Sequence, residues 1–447
     1  MRARAFAAPV ALALLAGCGG PGATDAGAGS DAAGGGSDSA LAPAEDWTRD
    51  ILSADLALDL TALTGTAAIT LAPAASAAVS FEAGGIDVTA VTAPDGTPLP
   101  FAVTGGQLDV GLPETPGGGT LTTFTVAYGF SQWPGAALPA AGGWLSGGST
   151  MLWPDYCGRL YPCHSLTADG LTFTLAITGV PAGLTAVYPA SIPTDAPPYQ
   201  IAFTVGDYVH ADLGVTPSGT AIGVWYFAGE AAAALSGTAS LVDYFAFYEA
   251  TYGPYAFGPS AGVVAVDWGG AISGGFEHHP YWHVSRDAMA SAEVMAHEAS
   301  HGWFGDAVRL RCWEDLVLSE GTASYLEARA VAAVDGAAAG DAVWQGYQNT
   351  LDFIDAGFDA VAWPAGCNVV DPLSELTPVP YMKGAFFYRA VELQVGAAAL
   401  DAALAQVFAD FAGEAASMQD VLDAILSVTG LDATALADGW LRNLGHP

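Results

Sequence analysis

The sequence predicts an α+β multidomain protein, with an all-β, sandwich-like domain over residues 47–205 followed by a mainly helical domain over residues 206–447. Two contrasts along the chain carry that prediction. Between Trp47 and Val205, short runs alternate apolar and polar residues, such as ADLALDL at 54–60 and TLTTFTV at 120–126, and Gly, Pro and Asp-Gly signals break them. After Asp207-Tyr208-Val209 and a brief further β section, apolar residues recur at helical spacing in long Ala-rich stretches. At 447 residues the chain is also long for one domain, and two domains is the count these contrasts support.

Two segments precede the first domain. Arg2 and Arg4 lead into a mostly apolar run from Ala5 to Ala16, too short to span a bilayer, and LAGC at 15–18 has the form of a bacterial lipoprotein cleavage box. Residues 1–18 therefore read as a lipoprotein signal peptide, with Cys18 the lipidated first residue of an exported protein anchored to the cell envelope. A plain secretory signal cut a few residues later is the alternative. Residues 19–46 are almost entirely Gly, Ala, Ser, Asp, Thr and Pro, which cannot bury enough apolar surface to offset ordering entropy, and they predict a flexible linker. In the second domain the pattern predicts a helix from about 229 to 252 and a strand at 262–267. Helices follow near 324–334, 340–354 and 384–396, with a terminal helical set through Trp440.

Composition narrows the partners. The net charge of -35 arises from 46 acidic against 11 basic residues; the acidic share is ordinary and the scarcity of base is not, Lys383 being the only lysine. Such a field repels phosphate backbones and argues against nucleic acid, and contact with a membrane is expected only through the lipid anchor. Export places the four cysteines after Cys18 in an oxidising compartment, where three pairings are possible. Cys157 with Cys163, close in sequence, and Cys312 with Cys367 is the favoured set; buried free thiols are the alternative.

The chemistry-bearing stretch is EVMAHEASHGWFGDAVRLRCWEDLVLSEGTASYLE at 293–327. Ala and Met residues ahead of His297-Glu298-Ala299-Ser300-His301 favour a helix, on which positions i and i+4 share a face. Both imidazoles can then meet one ion while Glu298 stands beside it. A structural zinc closes its shell with four protein ligands, whereas a catalytic one takes three and keeps a place for water. Glu320, reached after 18 intervening residues on a second apolar segment, completes a three-ligand set for one Zn2+ per chain. Such an ion would polarise a carbonyl and acidify water, and Glu298 would take up the proton and return it. Glu327 and Asp315 are candidates to orient the histidines from behind.

Together with GGFEH at 274–278 and VPYMKG at 379–384, in that order and at these spacings, the stretch resembles the aminopeptidase N family of zinc metallopeptidases, which also contains the leukotriene-epoxide hydrolase. The resemblance runs from about residue 47 to the end and implies that the second domain is thermolysin-like. It also implies a short form without the family's helical C-terminal domain, and hence a cleft open towards the far end of a long substrate. Tyr381 matches the family's oxyanion donor. Glu277, approached through Gly274 and Gly275, matches the residue that holds the free amino terminus of a peptide substrate. Two positions depart from the pattern: the family's Asn is His278, and Trp153 stands where relatives carry a Gln or Glu that helps bind the amine, with Asp155 nearby. The implied activity is release of N-terminal residues from peptides. An endopeptidase or epoxide hydrolase with the same zinc site, and a non-catalytic surface binding lipoprotein, are the other readings.

Overall fold

The computed structural model describes residues 43–113, 120–134, 142–270, 272–357, 360–367 and 377–447. Cys18, the expected signal peptide and nearly all of the expected linker lie outside the described residues. In the N-terminal half the alternating runs are strands. Ile51–Asp59, for example, buries Ile51, Ala54, Leu56 and Leu58, because successive side chains of a strand point to opposite faces. That strand lies third in a six-stranded sheet ordered Ser191–Ala196, Leu171–Thr178, Ile51–Asp59, Thr64–Leu71, Thr122–Phe130 and Ile86–Thr92. A three-stranded sheet of Ala78–Glu82, Gln107–Gly111 and Phe101–Thr104 faces it, and Phe81 meets Phe124 between them with ring centroids 6.0 Å apart. The two layers form a sandwich around these aromatic side chains.

The second half opens with a five-stranded sheet ordered Tyr208–Val215, Ala221–Phe227, Ser260–Val266, Tyr281–Ser285 and Gly275–Phe276, whose short last strand leads directly into Glu277. The single helix expected at 229–252 is instead two, Ala231–Gly237 and Leu241–Tyr252. The break has a packing cause that periodicity cannot register. Gly237 lies so close to the Met289 carbonyl that a Cβ there would meet it at 2.2 Å, and the Thr238 hydroxyl turns back to the Ala234 carbonyl at 2.8 Å. Around the site run the helices Ala292–Ser300, Thr322–Val334, Ala337–Gly357 and Pro378–Val395. The last begins six residues earlier than the sequence suggests. Thr377 caps it, and Pro378 and Pro380 sit in the first turn, where a missing N–H costs nothing.

The halves are held together by buried polar contacts. Arg309, on the strand Val308–Leu310, donates to the carbonyls of Thr167, Asp195 and Gly413, and the Thr167 hydroxyl donates to the Leu310 carbonyl. Disulfides join Cys157 to Cys163 and Cys312 to Cys367. The second ties the segment between the histidines and Glu320 to the loop after Trp363. Among the described residues no helix is long and apolar enough to cross a membrane.

Candidate active site

The helix Ala292–Ser300 starts where Ser291 accepts the Val294 N–H, and it ends at His301, so His297 and His301 share one face at its C-terminal end. Their Nε2 atoms lie 3.3 Å apart. Glu320 does not come from regular α-helix. It sits in a single π-helical turn, Val317–Gly321, whose wider winding turns the carboxylate towards the histidines. Its Oε2 is 3.2 Å from His297 Nε2 and 3.4 Å from His301 Nε2. That turn crosses the helix Pro378–Val395 glycine on glycine: a Cβ on Gly321 would be 2.8 Å from the Gly384 Cα, and one on Gly384 would be 2.5 Å from the Gly321 Cα. This close crossing brings Tyr381 over the site, its ring stacked on that of His297 at 5.9 Å and 13°.

The proton inventory tests whether these residues fit a metal. His301 Nδ1 donates to the Phe304 carbonyl at 3.0 Å, and His297 Nδ1 faces Glu327 Oε2 at 3.2 Å. With both Nδ1 atoms donating, each neutral imidazole presents an Nε2 lone pair. Two lone pairs and one carboxylate oxygen therefore converge, separated by 3.2, 3.3 and 3.4 Å. Three atoms held tetrahedrally about 2.0–2.1 Å from one ion are about 3.3–3.4 Å apart, so the set fits a single zinc ion. The electrostatics agree. Burial opposes charge on His297 and His301, yet the neighbouring carboxylates pull both pKa values up, and the two histidines bring Glu320 down to about 2 against its own burial. The site is built to hold positive charge.

His297, His301 and Glu320 line a cavity of about 470 Å3 together with Glu298, Glu277 and Tyr381. Glu298 is 5% exposed and its Oε2 has no hydrogen-bond partner, and burial pushes its pKa up to about 8. A cation beside it would restore the carboxylate. Gly275 lies against this carboxyl, where a Cβ would come within 2.5 Å of it. Glu277 is equally buried; desolvation raises its pKa and His301 works in the opposite sense. Burial first, then the surrounding carboxylates, hold the Tyr381 hydroxyl well above its ordinary value, so it remains a donor.

The other expected residues divide. Glu327 is in place behind His297. Asp315 is not: its Oδ1 accepts the Trp363 indole N–H at 3.0 Å and the Met418 N–H at 2.9 Å, so it braces the segment before Glu320 and touches neither histidine. Gly274 and Gly275 line the cavity beside Glu277, and so does Trp153, packed on Phe276 and Trp313. Asp155 is exposed and is not part of that lining. His278 turns away to face His283, Nδ1 to Nδ1, at 3.1 Å. Three features escaped the sequence reading: the Phe304 carbonyl behind His301, the π-turn under Glu320, and Asp306. Asp306 is fully buried and accepts from the Tyr199 hydroxyl at 3.2 Å; burial and the charge of Glu277 push its pKa up. A backbone acceptor leaves no residue signature, whereas Asp306 had one, an acid enclosed in the apolar run WFGDAV.

Comparison with known proteins shows what this fold and site resemble. Residues 278–440 match the peptidase family M1 domain. Leucine aminopeptidase 2 of Aspergillus niger is 28% identical over 156 residues, which cover 34% of this chain and 25% of that protein. The M1 zinc metallopeptidase of Deinococcus radiodurans superposes with a TM-score of 0.76 at 21% identity, over 90% of this chain and 95% of that one. Yeast LTA4 hydrolase superposes with a TM-score of 0.74 at 18% identity, over 89% and 68%. These structural likenesses establish the two-domain fold. The matched region spans about a quarter of the length of the curated relatives.

Proposed function

We propose that the chain is a zinc-dependent aminopeptidase, exported and held at the cell envelope through a lipidated Cys18. The observation that carries the activity is the convergence of His297, His301 and Glu320 in a cavity that also holds an unpartnered Glu298 and the buried Glu277. One zinc ion per chain would supply Lewis acidity to the scissile carbonyl and to water. Glu298 accepts the proton of the attacking water and delivers it to the departing amine. Tyr381 donates its hydroxyl proton in a hydrogen bond to the oxygen that becomes negative as the carbonyl carbon turns tetrahedral. Glu277 pairs with the substrate's α-ammonium, which fixes the cut one residue from the terminus. Trp153 fills the neighbouring wall with an indole, so Glu277 supplies the principal carboxylate for that amine. Glu327 and the Phe304 carbonyl hold the histidine rings in the tautomers the metal requires.

The test is a panel of aminoacyl fluorogenic amides, free and N-acetylated, with and without chelator. An aminopeptidase cleaves only the free amides and stops when zinc is removed. Cleavage of acetylated substrates would point to an endopeptidase, and failure on every amide to an epoxide hydrolase or a binding protein. For the anchor, the apolar run before LAGC supports the reading. Cys18→Ser should release the protein from the membrane fraction or leave it unprocessed, and mass spectrometry finding an unmodified mature terminus elsewhere would rule the anchor out.

A further inference from the structure

The cavity has a second carboxylate that the proposed chemistry leaves idle. Glu293 lies one turn before His297 on the ligand helix, about 6 Å along its axis. It is half-buried, lines the cavity and stands beside Glu327. Glu327 is engaged by His297, its Oε2 lying 3.2 Å from the Nδ1 of that ring. Glu293 has no cationic partner among the described residues, and no residue lining the cavity is Lys or Arg. A glutamate in a first helical turn does complement the helix dipole. That accounts for an exposed carboxylate, not for one drawn into a cavity beside a like charge, where desolvation and repulsion both cost free energy. The buried and unpartnered Glu298 Oε2 faces the same space, which marks it as built for a ligand.

The direction of a bound peptide follows from the frame around it. Two residues past Glu277, His279 Nε2 meets the Glu298 carbonyl at 2.9 Å and its ring lies against Gly302, where a Cβ would come within 3.0 Å of it, so the chain at Glu277 runs towards the C-terminal end of the ligand helix. Traced backwards from Glu277, the strand Gly275–Phe276 passes Glu298 at Gly275 and reaches Ser273 and Gly274, which line the cavity with Val294. A peptide whose amine sits on Glu277 and whose first carbonyl sits at the ligand set therefore sends its second residue towards the start of that helix, where Glu293 waits. We infer that Glu293 is a specificity residue that selects an arginine or lysine side chain at the second position of the peptide, immediately after the cleaved bond. The inference rests on the aminopeptidase reading above.

The experiment compares kcat/KM of the zinc-loaded full chain on Leu-Arg-Ala, Leu-Gln-Ala and Leu-Glu-Ala. The wild type should favour Arg over Gln by roughly tenfold and over Glu by more, the scale of one partly desolvated charge pair against a like-charge contact. Glu293→Gln should bring the Arg-to-Gln ratio close to one, and Glu293→Lys should place Glu ahead of Arg. Cleavage of all three peptides with a flat ratio in the wild type, or an unchanged ratio in Glu293→Gln, overturns the inference and leaves the aminopeptidase reading standing. Cleavage of none overturns both. Should the variants fail to fold, the wild-type ratio decides alone.

Discussion

The second domain holds two groups of buried histidines, and they behave in opposite ways. His297 and His301 sit among carboxylates, and their pKa values rise despite burial. His278, His279 and His283, on and beside the strand Tyr281–Ser285, have no acid at hand, and burial drives His279 and His283 down to about 3. Most of their nitrogens are spent inside the fold: His278 Nδ1 on His283, His279 on the Glu298 carbonyl and the Tyr255 hydroxyl, His283 on the Thr150 backbone, while His278 Nε2 is buried without a hydrogen-bond partner. The difference teaches that clustering does not make a metal ligand. A histidine becomes one when its far nitrogen is held as a donor, its near lone pair points at another, and a carboxylate supplies the compensating charge.

That comparison is broken most decisively at the ligands. His301→Ala should reduce bound zinc from about one per chain to near zero by elemental analysis. Undiminished zinc would remove the assignment. Next in size, Glu298→Gln and Tyr381→Phe should each lower kcat by roughly a hundredfold or more with KM broadly unchanged, because in the proposed mechanism both groups act on the transition state. Steady-state kinetics returning a near wild-type kcat would show the role misassigned. Loss of the supporting carboxylate should be milder: Glu327→Gln is expected to weaken zinc about 10- to 100-fold in a chelator competition. The contrasting substitution, His283→Gln, should leave that zinc affinity unaltered and instead cost roughly 1–3 kcal/mol of stability in denaturant titration. Altered zinc affinity there would erase the distinction between the two groups.

A third kind of histidine sharpens the comparison with the smallest effect. In the β-domain His164 Nδ1 meets Asp169 at 2.5 Å and Nε2 meets the Ser80 carbonyl at 2.8 Å, so both nitrogens donate. Burial works against the charge, but the hydrogen bond and charge of Asp169 outweigh it and hold the His164 pKa above the ordinary value. A raised folded-state pKa contributes stability that is fully present below the unfolded value, near 6.5, and is lost as pH rises through the folded one. The advantage of wild type over Asp169→Asn should thus be largest near pH 6 and shrink by about 1 kcal/mol, roughly 2 °C in Tm, towards pH 9. A difference that does not vary with pH would show that the imidazole is neutral in the fold.

Much of this was legible in the residues themselves. Alternation located the N-terminal strands because a half-buried sheet imposes a period of two, and helical spacing placed His297 and His301 on one face. What could not be read was set by backbone crossing other backbone. Gly237 breaks a helix against Met289, and Gly321 meets Gly384 so that a π-turn and a proline-started helix can touch. The helix expected only from about 384 starts at Pro378, because prolines at 378 and 380 fall in its first turn, where a missing N–H is harmless. Asp315 was plausible behind the ligands by distance along the chain, yet the Trp363 indole and the Met418 N–H claim it. The sequence carries residue types well and the direction of a side chain poorly.

Lys383 is the one lysine of the chain, and it is fully buried, donating to the carbonyls of Ala360, Asn443 and Leu444. The native surface therefore offers no ε-amine. Acylating dyes, aldehyde fixatives and amine-coupled supports have nothing on the folded body to attack except a chain terminus, so procedures that immobilise most proteins will spare this one. The same scarcity makes such reagents informative, since modification at position 383 reports that the segment next to Tyr381 has parted from the C-terminal residues that enclose it.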